Sequence, residues 1–198
     1  MPETETGRPN QRKRTRKAIL EAAARLAGQR RTLTLEDIAE EALVSRATAY
    51  RYFPSVGALL VEASVHMAFP DPATFFANGS DDPAERLARA ERAVHDIVIS
   101  HEPALRLMLA HSVTQARDTE GSMVRQNRRT PLIEAALAPA RRAMDVATFD
   151  RLGKALAMVI GTEAMIVCRD VLGIDADEAQ DIKLWAVQAL LKAAINKE

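Results

Sequence analysis

Cysteine is nearly absent. Cys168 stands alone among 198 residues, so no disulfide can close within the chain, which fits a reducing cytoplasm. It sits in an apolar helical stretch and reads as a small core residue rather than a redox sensor. Aromatic residues make up only 4%, and there are just 8 Gly and 9 Pro. No stretch alternates with a period of two, so no strand is expected, and no period suggests repeats. The longest apolar run, 155–168, contains Glu163 and is too short to span a bilayer. The start of the chain lacks an apolar stretch after its basic residues, so no signal peptide is expected and the cytoplasm is the expected location.

Catalytic signatures are missing too. There is no Gly-rich phosphate loop, nucleophile motif or H-E-x-x-H. His66, His95, His101 and His111 never pair at the i, i+4 spacing of a helical metal site. No catalytic residue, metal or cofactor is therefore expected, and an enzyme is disfavoured. For His95 and His111 two readings stand: a hydrogen bond to a ligand, or an ordinary surface or satisfied histidine.

The hydrophobic fraction is 47%, which suffices for a core and leaves disorder only for the first dozen or so residues. Abundant Ala and Leu favour aliphatic helix packing. The fold class is all-α. The net charge of zero hides an asymmetry: residues 1–31 hold nine Lys and Arg against three Glu, a net of +6, and the remainder carries −6. A basic end on an acidic body is the footprint of a DNA-reading head joined to a regulatory domain, or merely an uneven surface.

The stretch 34–53, T-L-E-D-I-A-E-E-A-L-V-S-R-A-T-A-Y-R-Y-F, decides between them. Thr34 with Asp37 makes an approximate capping box. Ile38, Ala39 and Ala42 recur at helical spacing. Leu43 and Val44 interrupt, and Ser45 caps a second helix carrying Arg46, Ala47, Thr48, Tyr50, Arg51 and Tyr52. This is a helix-turn-helix whose second helix suits the major groove.

These residues resemble the DNA-binding domain of the TetR family of transcriptional regulators. The resemblance starts at Arg16-Lys17-Ala18-Ile19-Leu20-Glu21-Ala22-Ala23 and runs through Thr34, Ile38-Ala39, Ala42, Val44-Ser45, Thr48, Tyr50 and Tyr52-Phe53 to Leu59. Two positions depart from it. The family usually has Gly where Leu43 stands and Lys where Val56 stands, and the second change removes an expected phosphate contact. Arg46 is the candidate base reader, since an arginine there can donate twice to guanine; a phosphate contact is the other reading. Ala47 touches a thymine methyl or simply permits close approach. Thr48 and Tyr50 match family positions that contact backbone or bases. Ser45 and Tyr52 suit phosphates, Thr34 joins the DNA-binding set, Arg51 reaches DNA or lies solvated, and Phe53 is core. Arg12, Lys13 and Arg14 either insert into the minor groove or add non-specific phosphate attraction.

The expected organisation is a basic flexible arm at 1–15, the helix-turn-helix head at 16–55, and a helical ligand-binding and dimerisation domain at 56–198. Ile19, Leu20, Ala23 and Leu26 form the buried stripe of helix 1, with Gly28 as its stop. A helix at 56–68 links head to body, and 69–83 reads as a loop. Asp81 or Asp82 caps a helix to about residue 100, buried through Leu87, Ala90, Val94, Ile97 and Val98. Pro103 opens another, and Pro131 starts or kinks a helix within 120–138.

On a helical wheel, 149–171 gathers Leu152, Leu156, Val159, Ile160, Ile166 and Val167 on one side. Ala157, Gly161, Ala164, Met165 and Cys168 lie opposite. A final helix at 178–195, with Trp185 and Leu191, is apolar nearly all round. Two such helices per chain can build a four-helix interface with a second copy. Ala157, Gly161, Ala164, Met165, Trp185 and Leu191 are the expected interface residues. The TetR resemblance implies the same homodimer, a double-stranded palindromic DNA operator, and a small apolar or amphipathic effector. The expected effector pocket is lined by Val94, Val98, Met108, His111, Ser112 and Glu163. Glu163 has two readings, an anchor for that effector or an internal ion pair with Arg128 or Arg129. The alternative for the whole chain is a DNA-binding architectural dimer that senses nothing.

Overall fold

A computed structural model describes residues 7–27, 33–115 and 127–195, with the side chains of 7–10, 111, 114 and 115 left aside. Every regular element among them is helical. The expected stop at Gly28, the arm residues 1–6, the span 120–126 and the side chain of His111 lie outside the described residues. The chain divides into two units, 1–68 and 69–198.

The first unit holds α1 (Gly7–Ala27), α2 (Leu35–Glu41), α3 (Arg46–Tyr52) and α4 (Val56–Ala68). Its core joins Ile19, Leu20, Ala23 and Leu26 to Leu35, Ile38, Ala49, Phe53, Leu59 and Ala63. Two expectations change here. The head extends to Ala68 rather than ending at 55, because Leu59 and Ala63 of α4 complete the core that α1 opens. From Gly7 the basic arm is helix rather than flexible arm. Residues 10–27 hold no breaker and many Arg, Lys, Gln, Ala and Leu, all strong helix formers, and Pro9 is tolerated in a first turn.

Arg16 ties this unit together. Its Nε and Nη2 donate to the Glu62 carboxylate at 3.3 and 2.5 Å, and its Nη1 to the Tyr52 carbonyl at 3.3 Å. Its guanidinium lies 4.4 Å from the centre of the Phe53 ring. One side chain thus links α1, the end of α3 and α4. Val56 is half-buried against the same core.

The second unit holds α5 (Pro72–Phe75), α6 (Pro83–Ser100), α7 (Glu102–Gln115), α8 (Arg129–Leu137), a 3-10 turn (Ala138–Ala143), α9 (Val146–Val159), α10 (Thr162–Ile166), a π turn (Val167–Val171) and α11 (Ala176–Ile195). Helix α5 is one turn inside the expected loop, capped by Asp71 with Pro72 at its start. Asp82 caps α6. Helix α8 starts at Arg129, so Pro131 lies in its first turn, where its missing N–H costs nothing. Leu87, Val94, Leu132, Ile133, Leu137, Leu152, Leu156, Ile160 and Val187 form the core, and α11 packs on both α6 and α9.

The expected single helix over 149–171 is broken. Helix α9 ends at Val159, and Gly161 takes φ 138 and ψ −169, a region open to glycine almost alone. Arg129 closes the break. Its Nη1 donates to the Ile160 carbonyl at 3.2 Å and to Glu163 Oε2 at 2.6 Å. A Cβ on Gly161 would run into that guanidinium. Gly161 therefore lies buried under Arg129 and does not offer an open face to a second chain. Met165 and Leu191 are buried within their own unit at 5% exposure each, which leaves little of either side chain open to a second copy. Ala157 and Ala164 are half-buried, and Trp185 is exposed.

Candidate nucleic-acid interface and body cavity

Local chemistry sets the geometry of the α2–α3 pair. The Asp37 N–H donates to Thr34 Oγ1 at 3.1 Å, and the Thr34 N–H donates back to Asp37 Oδ2 at 3.0 Å. This reciprocal box satisfies two donors that the helix start leaves free. Helix α2 then ends in a Schellman turn: the Leu43 N–H reaches the Glu40 carbonyl at 3.0 Å and the Val44 N–H the Ala39 carbonyl at 2.9 Å. Leu43 occupies the left-handed position of that turn at φ 55. Ser45 Oγ accepts from the Thr48 N–H at 3.1 Å and starts α3.

Helix α3 buries Ala49 and holds Phe53 beyond its end, which turns the opposite side outward. Ser45, Arg46, Ala47, Tyr50 and Arg51 are exposed there, and Thr48 and Tyr52 are half-buried. Ala47 adds little bulk to this face. Arg46, Tyr50, Ser45, Thr48 and Arg51 supply charge and hydroxyls around it. Thr34 is exposed at the start of α2, and Arg12, Lys13 and Arg14 are exposed on α1.

Residues 19–63 of this chain match the family model described as bacterial regulatory proteins, tetR family. The head is a TetR-type DNA-binding unit. The match falls on this head alone, and DNA binding and transcription regulation are read from that unit. The crystal structure of a TetR transcriptional regulator from Rhodococcus sp. RHA1 has a TM-score of 0.48 and 21% identity to this chain, covering 91% of this chain and 98% of that one. No curated protein matches the chain. Among the described residues, no helix is long and apolar enough to cross a membrane.

One residue of this TetR-type head escapes a reading of the sequence. Glu36, on the first turn of α2, pairs through Oε1 with Arg46 Nε at 2.6 Å and accepts from the Tyr50 hydroxyl at 3.3 Å. The Arg46 guanidinium also lies 5.6 Å from the Tyr50 ring centre. A carboxylate thus holds two of the exposed polar side chains of α3. Ten residues separate Glu36 from Arg46, and no helical period links them.

The body holds a second polar constellation. Lys183 Nζ donates to Glu91 Oε1 at 2.6 Å and lies 2.7 Å from His95 Nδ1. All three side chains are buried, Glu91 completely. Burial pushes the Glu91 carboxyl above the usual range, against the opposing pull of the Lys183 hydrogen bond and charge. Burial, then the Lys183 charge, pushes the His95 imidazole below its usual value. Oε2 of Glu91 is buried without a hydrogen-bond partner.

His95 and Lys183 line a cavity of about 240 Å3 together with Ile99, Met165, Cys168, Arg169, Ile174, Asp175, Ala176 and Ala179. The π turn supplies part of its wall, and π turns recur at binding sites because they displace side chains from the helical register. Arg106 anchors that turn to α7. Its Nη1 and Nη2 donate to the two Asp170 carboxylate oxygens at 2.6 Å each, and its Nε to Glu102 at 2.8 Å. Glu102 also accepts from Arg169. The Arg106 pair holds the Asp170 carboxyl below its usual range.

The residues expected to form an effector pocket, His111 aside, lie outside this cavity. Val94 and Val98 are core residues, Met108 is half-buried, and the Ser112 hydroxyl donates to the Leu109 carbonyl at 2.7 Å. Glu163 is half-exposed and paired with Arg129, which is one of its two readings. None of them lines this cavity, whereas Met165, expected at the dimer interface, does. A sequence signal for this polar cluster exists: Glu91 and His95 fall four apart on the stripe of α6 that also carries Leu87, Val94 and Val98, and Lys183 interrupts an apolar run of α11.

Proposed function

We propose that the protein is a ligand-responsive repressor that binds a palindromic operator as a homodimer in the cytoplasm. The observation that carries this reading is the exposed face of α3, held outward by a buried Ala49, in a unit whose α1 exposes Arg12, Lys13 and Arg14. A dimer presents two such faces to two half-sites, so protein symmetry would be mirrored in the DNA. The body cavity supplies room for an effector. An effector that favours a body conformation incompatible with paired DNA docking lowers affinity by its differential binding to the two states.

The test is selection of bound sequences from random double-stranded DNA with the full chain. An inverted repeat is the expected product. Arg46→Ala should then cost about 1–3 kcal/mol of discrimination at one base pair per half-site. Equal weakening on specific and random DNA would move Arg46 to a phosphate, and a non-repeating consensus would sink the dimeric docking.

A further inference from the structure

One ring nitrogen in the body cavity has no partner. Lys183 Nζ lies 2.7 Å from His95 Nδ1. An ammonium can only donate, so Nδ1 accepts. A neutral imidazole that accepts at Nδ1 carries its proton on Nε2. That N–H points from the opposite end of the ring, away from Lys183. Among the described residues, nothing accepts from it. The polar side-chain atoms sealed from solvent without a partner include Glu91 Oε2 but not His95 Nε2, so Nε2 keeps open surface on a residue that is only 8% exposed. His95 lines the cavity, and the open part of a buried side chain is the part that faces the cavity it lines.

The cations of the wall are already matched, Lys183 by Glu91 and Arg169 by Glu102. Asp175 brings a further carboxylate at the exposed rim, where its Oδ1 accepts from the Glu178 N–H at 2.9 Å. An anion entering the cavity meets that carboxylate and finds no free cation. A cation finds its match only at the rim, where water screens the attraction. Its hydrocarbon then strips water from a buried N–H and leaves that donor unbonded, which is costly. A plain hydrocarbon fails in the same way. A neutral molecule with one acceptor satisfies the N–H and brings no charge.

We propose, resting on the reading of the body as an effector domain, that this cavity takes a small neutral ketone. Its carbonyl oxygen accepts from His95 Nε2, and its hydrocarbon lies among Ile99, Met165, Ile174 and Ala179. A ketone has an acceptor and no donor. It therefore suits a single N–H better than an alcohol, whose own hydrogen needs a further acceptor. The 240 Å3 volume corresponds to about eight water-sized groups at about 30 Å3 each, the size of a single small ring or a short chain.

Cyclohexanone is the probe, titrated calorimetrically into the full-length protein without DNA. Cyclohexylammonium and cyclohexanecarboxylate are its charged counterparts of similar size. The ketone should bind roughly tenfold more tightly than either, the effect of one buried hydrogen bond. His95→Phe keeps a ring, leaves Lys183 paired with Glu91, and should weaken cyclohexanone by a similar factor. The unaltered protein supplies a second readout that needs no variant. Its histidine ring-nitrogen resonances should show the Nε2–H tautomer at His95, and that signal should shift as cyclohexanone is added. Absence of binding at millimolar concentration, equal affinity for either charged counterpart, unchanged affinity in folded His95→Phe protein, or an Nε2–H signal that stays in place would each overturn the proposal. Failure of the effector reading looks different: cyclohexanone binds with the stated selectivity and selected operator DNA stays bound.

Discussion

Glu36 shows how a single carboxylate can set the readiness of a DNA-reading surface. Its pair with Arg46 is exposed, with 70% of the arginine side chain open to solvent, so water screens it and it contributes at most about 1 kcal/mol. In the proposed docking the Arg46 guanidinium meets either a guanine edge or a phosphate, and both compete with Glu36. The carboxylate itself adds repulsion from the phosphate backbone. Glu36→Gln keeps the shape and removes the charge. The expected result is a severalfold tighter complex with operator and random DNA alike, read from equilibrium titrations at fixed salt. Weaker binding to operator alone would show that Glu36 orients Arg46 toward its base instead of restraining it. The same scale explains why Glu163 draws attention in the sequence and Glu91 does not. Glu163 interrupts the longest apolar run and stands out by contrast. Glu91 is flanked by Arg89, Arg92 and Asp96 and looks like part of a solvated surface, although its place on the α6 stripe makes it the one that is fully buried.

Among the elements, the α2–α3 turn carries the clearest strain. Leu43 holds the left-handed position at φ 55 with 93% of its surface exposed. A branched side chain there pays about 1–2 kcal/mol that glycine does not, while glycine gives back about 0.5–1 kcal/mol through the freer unfolded chain. Leu43→Gly removes almost no packing, so it should stabilise the protein by about 0.5–1 kcal/mol, a rise of a few degrees in melting temperature. A lower melting temperature would mean that Leu43 makes contacts in solution that offset its strain. Elements bounded by side-chain caps are the legible ones: Thr34 with Asp37, Ser45, Asp82 and the apolar stripe of α1 all sit where local chemistry places them. The break between α9 and α10 is hidden because Leu156, Val159, Ile160 and Ile166 continue one apolar wheel across it. Its cause is Arg129, distant in sequence, whose guanidinium both needs the freed Ile160 carbonyl and fills the space a side chain at 161 would take. The helical form of the basic segment is missed for the opposite reason. Its polarity suggests an unfolded arm, yet Arg, Lys and Gln form helix as readily as they are solvated.

For the whole molecule, the surface left apolar bears on assembly. With Gly161, Met165 and Leu191 turned inward, the expected interface loses half its residues. A different part of the same two helices remains open. Ile182, Trp185, Ala189 and Ala193 fall on one stripe of α11 and are exposed, with Trp185 at 71%. On α9, Gly153 has open space where a side chain would stand, and Ala157 four residues on is half-buried. Large residues on one helix and small ones on another are what close helix packing between copies requires. Trp185→Glu places a charge in the middle of this stripe, at a side chain that is mostly exposed within its own protomer. The expected outcome is a folded monomer by sedimentation, with helical content unchanged. Operator affinity should then fall by about 10²–10⁴, because two linked heads bind the second half-site intramolecularly and separated heads do not. Affinity for a single isolated half-site should stay the same. That pairing of results separates loss of assembly from damage to the head. A variant that remains dimeric at low micromolar concentration would move the interface away from α11, and with it the reason for the exposed tryptophan.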